Sequence, residues 1–164
     1  RVPGPLMVDA ILKRPWTITN AARTLADLHD QLHEISAPDG LPQLPDGGAA
    51  LVHLDLHPLN VIVHPVRGPV VIDWANASRG EGLGDVALTY VLITCPRVPG
   101  SIVVRAAAAP LRSVLAKAFI RRYRGPPLDA RIAIAAELKA LDANMAPDEV
   151  VTMNKLAARM RARA

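Results

Sequence analysis

Apolar residues recur at helical spacing along most of the chain. In residues 21–35, leucine and isoleucine return every three or four positions, which predicts an amphipathic helix with one buried stripe. Residues 85–94 are apolar on every side, which predicts a helix buried in the middle of a domain. The remaining predicted helices span residues 6–12, 101–123 with a kink or break at Pro110, 128–144 and 147–161.

The centre of the chain has the composition of strands instead. Short β-branched runs at residues 51–52, 61–63 and 70–72 predict three strands. The last two are separated by residues 64–69, which contain the Pro and Gly that a turn requires, so we expect them to form a hairpin. The predicted fold class is therefore α+β, mainly α, as a single domain over residues 1–164 with a small central β-hairpin.

The predicted hairpin brings two polar side chains together. If Val61 pairs with Ile72, then Asn60 lies directly opposite Asp73, and the two side chains share a face and start about 5 Å apart. An amide oxygen and a carboxylate in this arrangement suit one hard cation such as Mg2+. Asp55 lies five residues before Asn60 on the preceding loop. The sequence thus places an acid, an amide and a second acid around one small volume.

Two motifs carry a family resemblance. Residues 53–60 read His-Leu-Asp-Leu-His-Pro-Leu-Asn, and residues 71–74 read Val-Ile-Asp-Trp. They match the H-x-D-x-x-x-x-N loop of kinases and the metal-binding Asp after the next hairpin. With Trp74 after the Asp, the pair resembles the aminoglycoside phosphotransferase and choline kinase group, and residues 84–87, Gly-Asp-Val-Ala, are similar to that family's Gly-Asp stretch. The resemblance implies the C-terminal lobe of a protein-kinase-like fold.

The resemblance also implies a role for each residue of the site. Asp55 would accept the proton of a small-molecule hydroxyl, while Asn60 and Asp73 would hold Mg2+ against the phosphates of ATP, the phosphoryl donor. Leu54 and Leu59 stand where many relatives carry glycine. The supporting residues are His53, whose ring would bond to the backbone near Asp73, Asp85, which would hold the catalytic loop, and Trp74, which would pack beside the site.

The family's N-terminal lobe is not recognisable in the sequence. That lobe holds ATP under a strand-turn-strand and uses a strand lysine on the phosphates. No such segment precedes Arg1, and residues 2–4 resemble the hinge between the lobes. We therefore expect the 164-residue chain alone to be inactive and to self-associate through the surface that the lobe would cover. The alternative is a non-catalytic kinase-fold remnant or interaction module.

Histidines suggest two other metal chemistries. Acid and imidazole alternate in residues 53–57, as in a metal-dependent hydrolase, but no distant His/Asp set completes that site. His29 and His33 have the i, i+4 spacing of a zinc-protease helix, but Asp30 stands where that motif requires Glu. We expect both histidines to flank the apolar stripe of their helix.

Composition narrows the range of partners. The net charge of +4 comes mainly from arginine clusters at residues 121–124 and 159–163, which complement the carbonyl ends of helices. Only 3% of residues are aromatic, so platforms for stacked bases are few and nucleic-acid binding is not expected. The single Cys95 excludes a disulfide framework, and no apolar run reaches ~20 residues, so we expect a cytoplasmic protein without a membrane partner. Trp16 is expected to pack in the interior.

The acceptor molecule is left open by the sequence. Acidic residues at positions 129, 137, 142 and 149 either meet a cationic acceptor or face water. The same motifs serve amino-alcohol, sugar and other acceptors in the family that the chain resembles, so antibiotic resistance does not follow from them.

Overall fold

The fold is built from helices around two small sheets. The computed structural model describes residues 2–97 and 101–164, and for residues 102–105, 107 and 126 their backbone alone. The predicted α+β, mainly helical class is confirmed. The helices are α1 (Met7–Lys13), α2 (Ile18–His33), α3 (Gly82–Thr94), α4 (Ile102–Phe119), α5 (Pro126–Ala140) and α6 (Pro147–Arg161). The strands are β1 (Ala50–Val52), β2 (Val61–His64), β3 (Gly68–Val71) and β4 (Ser78–Gly80).

The core lies between α3 and the helices around it. The uniformly apolar sequence of α3 is buried on most sides, because α2, α4 and α5 all pack against it. The stripe of α2 faces inward through residues such as Leu25 and Ala26, and α5 is covered on another side by α6. Burying a leucine such as Leu25 completely contributes about 1.5–3 kcal/mol. The two helices predicted most directly from periodicity, α2 and α3, are confirmed.

Two antiparallel pairs of strands flank the loop of residues 53–60. β1 pairs with β4, and β2 pairs with β3. The strand β4 was not predicted, because its sequence, Ser-Arg-Gly, has no β-branched or aromatic residue. The carbonyl of Pro5 accepts the N–H of Val63 at 2.8 Å, so the segment that resembles a hinge lies along β2.

The predicted hairpin is present, but its predicted register is wrong by one residue. Val61 pairs with Val71 rather than with Ile72, and the N–H of Ile72 donates to the carbonyl of Asn60 at 3.0 Å. Asn60 is therefore opposite Ile72, not Asp73. The reason is Pro69, which reads as a turn residue but lies within β3, where an edge strand tolerates its missing N–H.

α4 runs through Pro110, so of the two expected alternatives, a kink or a break, the break does not occur. Two other expectations fail. α5 ends at Ala140, because the side chain of Asp142 binds Lys139 and the N–H of Asn144 and so stabilises a turn there. Trp16 does not pack in the interior, since it is 77% exposed.

No helix in the described ranges combines the length and the apolar character needed to cross a bilayer.

Candidate active site

The loop between β1 and β2, residues 53–60, is held from behind by Asp85. One carboxylate oxygen, Oδ2, accepts the N–H of His53 at 3.0 Å, and the other, Oδ1, accepts the N–H of Leu54 at 2.8 Å. Asp85 lies in the first turn of α3 and is 1% exposed. The predicted contact between Asp85 and the loop is therefore present, and it satisfies two backbone donors that would otherwise be buried without partners.

A second support comes from Thr89, one turn further along α3. Its hydroxyl donates to the carbonyl of Leu56 at 2.7 Å and lies 3.0 Å from Nε2 of His29. Sequence reasoning missed Thr89, although a hydroxyl in the middle of a helix predicted to be buried was a signal that a buried partner exists. Asp85 and Thr89 together fix the first half of the loop, at residues 53, 54 and 56.

His53 joins the loop to the strand that precedes Asp73. Its Nδ1 accepts the N–H of Asp55 at 3.2 Å, which leaves Nε2 to carry the proton and donate to the carbonyl of Ile72 at 3.1 Å. The ring also packs against Trp74, with centroids 4.8 Å apart. The expected bond from this ring to the backbone near Asp73 is present, and the ring packing places Trp74 beside the loop.

Asn60 holds the carboxylate of Asp55. Its amide nitrogen donates to both the backbone carbonyl and Oδ2 of Asp55, each at 2.9 Å. The two hydrogens of the amide are thereby used. Within the described residues its oxygen, Oδ1, accepts no hydrogen bond, so it is available as a ligand.

His57 is a neighbour of Asp55 that the kinase motif does not include. Its Nδ1 accepts the N–H of Leu59 at 3.2 Å, and its Nε2 lies 3.4 Å from Oδ1 of Asp55. Burial raises the pKa of Asp55, but hydrogen bonds and charge interactions with His57 and Asn60 outweigh burial, so the pKa lies below its ordinary value. Asp55 is therefore an ionised base at neutral pH.

Asp73 lies where the chain leaves the hairpin. Its backbone is in the left-handed conformation, with φ 64° and ψ 66°, so strand alternation no longer decides which way its side chain points. It is exposed and makes no hydrogen bond or ion pair with any residue that the structure describes. Its two neighbours, Ile72 and Trp74, both contact His53. The structure thus brings Asp55 and Asn60 into direct contact and places Asp73 next to the paired strand end.

Leu54 is strained in a way that explains why glycine suits this position. Its φ is 60°, a conformation that costs a residue with a β-carbon about 1–2 kcal/mol. The hydrogen bond from its N–H to Asp85 holds it there. Strain of this kind is found at functional sites, where the surrounding structure maintains it.

An open cleft of about 430 Å3 lies beside the loop. It is lined by Leu54, by residues 75–78 that follow Asp73, and by Pro42 and Lys139. The ammonium of Lys139 is bound to Asp142 at 2.7 Å. The cleft therefore borders the residue that precedes Asp55, and it is lined by no acidic side chain of the described part of the chain.

The acidic residues left open above have local partners in most cases. Their contacts are as follows: Glu137 binds Arg161, Asp142 binds Lys139, and Glu149 accepts the backbone N–H of Arg97 and of Ala146.

One comparison with known proteins identifies the family of the chain. Residues 10–118 match the model of the phosphotransferase enzyme family (APH). The match covers more than half of the chain and contains Asp55, Asn60, Asp73 and Asp85, so the resemblance drawn from the motifs is confirmed and the chain belongs to this family. Neither a curated protein nor a solved structure gives a significant match.

Proposed function

We propose that this chain is the C-terminal lobe of a protein-kinase-like phosphotransferase that transfers a phosphoryl group from ATP to a hydroxyl group of a small molecule. The observation that carries the proposal is the double hydrogen bond from the amide of Asn60 to Asp55. One side chain fixes the carboxylate that would meet the acceptor and keeps its own oxygen free for a metal. Membership of the phosphotransferase family supports the same reaction class.

Asp55 is the group that orients the acceptor. Its Oδ2 is held by Asn60. Among the described residues, Oδ1 has only the longer contact of 3.4 Å to His57, so it can accept the hydrogen of a substrate hydroxyl. As the hydroxyl oxygen of the acceptor attacks the γ-phosphorus of ATP, the hydroxyl proton passes to the carboxylate of Asp55 and ADP leaves. Phosphoryl transfer depends mostly on position and charge, so a fixed carboxylate is the contribution that this loop makes.

The oxygens of Asn60 and Asp73 fit Mg2+. Both are hard ligands, an amide oxygen without a hydrogen bond in the described structure and an exposed carboxylate, and magnesium prefers one or two such ligands with water and phosphate oxygens. When bound, Mg2+ would neutralise charge on the phosphates of ATP. His53 would hold the two ligands in position relative to each other. Its ring bonds to the carbonyl of Ile72, the residue before Asp73, and packs on Trp74, the residue after it.

The cleft beside Leu54 is the place that we assign to the acceptor. It borders Leu54, the residue before Asp55, and offers the polar groups of Asn76 and Ser78 together with Lys139. Such a lining suits an acceptor with several hydroxyl groups better than a strongly cationic one. A cytoplasmic location, where ATP and Mg2+ are supplied, is part of the same proposal.

Self-association is a further part of the proposal. Leu12 and Trp16, which lie close in sequence at the end of α1, are both exposed to solvent. Exposed apolar groups of this size favour contact with another surface. In the alternative function, a kinase-fold interaction module, this surface would bind a partner and the loop would be inert.

Replacing Asp55 with alanine tests the proposed role. With the product of the whole reading frame, ATP, Mg2+ and a panel of hydroxyl acceptors, we expect kcat to fall about 10²- to 10⁴-fold. ATP affinity should stay within about twofold, because Asp55 faces the acceptor rather than the nucleotide. Turnover is measured by a coupled ADP assay, and Asp39→Ala, an exposed loop residue, is the matched control. An equal loss of ATP affinity would contradict the assigned role, and an inert parent protein would favour the interaction module.

A further inference from the structure

A cluster of two histidines and an aspartate lies behind the catalytic loop. His29 and His33 face inward from α2, and Asp85 faces them from α3. One nitrogen from each histidine and one oxygen of Asp85 all lie within 4.8 Å of one another. His29 is fully buried, and the side chain of His33 is 16% exposed. The two histidines of α2 resembled part of a zinc-protease motif. The third side chain that could bind a metal with them, Asp85, comes from α3 rather than from α2 itself.

The proton on His29 is fixed by its neighbours. The hydroxyl of Thr89 donates to the carbonyl of Leu56, so its oxygen can only accept from Nε2 of His29. In the neutral ring, Nδ1 then carries a bare lone pair. This nitrogen is buried and makes no hydrogen bond with any residue that the structure describes. It faces Oδ2 of Asp85 at 3.5 Å. A nitrogen lone pair and a carboxylate oxygen that face each other in a buried place repel unless a positive charge lies between them.

The distances from Asp85 to the two histidines differ in what they indicate. A proton shared by imidazole and carboxylate draws the two atoms to about 2.7–2.9 Å. Ligands of one tetrahedral zinc ion, each about 2.0–2.1 Å from the metal, stand about 3.3 Å apart. The Asp85 oxygen lies 3.5 Å from His29 and 3.1 Å from His33. The 3.1 Å contact to His33 is an ordinary hydrogen-bond distance. The 3.5 Å contact to His29 is longer than a hydrogen bond and close to the edge of a zinc tetrahedron, so the geometry at His29 is what favours a metal ion.

The surroundings of the three ligands are those of a metal site. The outer nitrogen of His29 is oriented by Thr89, and the second oxygen of Asp85 is held by the N–H of Leu54. Such contacts fix the orientation of metal ligands. The ring of His33 lies against Gly82, where any side chain would overlap it. His33 leaves one side of the cluster open to solvent, which allows water to be a fourth ligand.

We propose that His29, His33 and Asp85 form a binding site for a zinc-like divalent transition metal, separate from the magnesium site on the other side of the loop. Two imidazoles and one carboxylate suit Zn2+, whereas the oxygens of Asn60 and Asp73 suit Mg2+. The metal links α2 to α3. Because Asp85 also accepts the N–H groups of His53 and Leu54, this link stabilises the position of the catalytic loop.

Zinc binding by the tag-free chain is the direct test. The chain is stripped with a chelator and titrated with Zn2+ against a chromophoric competitor, with Mg2+ in large excess. We expect one equivalent of bound zinc and, with Co2+, the visible absorption of a four-coordinate ion. At a free zinc concentration about 100 times the Kd, the Tm should rise by about 5–10 °C.

The variants separate this site from other histidines. His33→Gln keeps an amide donor near Asp85 and should weaken zinc binding about 100-fold or more. His64→Gln, on the hairpin turn, is the matched control and should bind zinc as the parent does. If His29→Gln fails to fold, the partly exposed His33 decides the question. Equal zinc affinity in the parent and in His33→Gln would overturn the proposal. An NMR spectrum with both nitrogens of His29 protonated in the presence of zinc would also overturn it.

Discussion

The Asp73→Ala variant of the active enzyme is expected to lose turnover by more than about 10⁴-fold. Asp73 is the only charged ligand that we assign to magnesium, and its exposed carboxylate makes no other contact in the described structure that would account for a loss. A metal that neutralises the developing charge contributes several kcal/mol to the transition state. The loss is measured as kcat over a range of Mg2+ concentrations.

Two further observations make the Asp73 result specific. The folded fraction should be unchanged, because the side chain is exposed and makes no bond with the residues that the structure describes, and a thermal melt checks this. Asp39→Ala, another exposed aspartate, should retain full activity. Turnover within about tenfold of the parent at every Mg2+ concentration would remove Asp73 from the metal site.

The Asp85→Ala variant is expected to lower the free energy of unfolding by about 3–5 kcal/mol. The change leaves the N–H groups of His53 and Leu54 without acceptors in a buried place. It also removes the carboxylate that the buried imidazole of His29 faces. Urea unfolding in the presence of a chelator measures the loss. Asp9→Ala, an exposed residue of α1, is the control and should cost about 0.5 kcal/mol or less.

The effect of Asp85 should depend on pH in one direction. Burial raises the pKa of this carboxyl, but interactions with His29 and His33 and the bond from the N–H of His53 outweigh burial and hold the pKa far below its usual 3.8. A carboxyl whose pKa is lowered by folding stabilises the folded state fully at a pH above its pKa in the unfolded chain. This stabilisation is lost as the pH falls through the pKa of the folded state. The difference between parent and variant should therefore be constant over about pH 5–8 and shrink only in strong acid. A difference that shrinks between neutral pH and pH 5 would contradict this explanation.

The helices and the motif residues could be predicted from sequence because their signals are local. The stripe of α2 and the uniform apolarity of α3 depend only on neighbouring positions. Asp55 and Asn60 lie within one short loop, so their spacing alone brought them together. The bond from His53 to the backbone next to Asp73 came from the family resemblance, since nothing local requires a ring to reach across the hairpin.

The hairpin register could not be predicted because its turn has unusual chemistry. The ring nitrogen Nδ1 of His64 accepts the N–H groups of Val66 and Arg67, which closes a short turn before Gly68. Counting Pro69 as part of the turn then shifts the pairing by one residue. The error matters less than it would in a straight strand, because the left-handed backbone of Asp73 redirects the chain at that point.

The cluster of His29, His33 and Asp85 could not be predicted from the sequence for a different reason. Its histidines and its aspartate are about fifty residues apart, and their meeting depends on how α2 packs on α3. The same holds for Thr89, whose partner Leu56 lies on another element. Contacts between elements that lie far apart along the chain produce no periodic pattern and no fixed spacing, so a single sequence does not reveal them.

Paramagnetic NMR with Mn2+, a stand-in for Mg2+ at oxygen ligands, tests the central claim most directly. In the zinc-saturated 164-residue chain, Mn2+ should broaden the amide signals around Asn60 and Asp73 first, and excess Mg2+ should restore them. The Asp73→Ala variant should lose this broadening. Broadening that is strongest elsewhere, or that is unchanged in Asp73→Ala, would contradict the proposal that these residues form the metal site of a phosphotransferase.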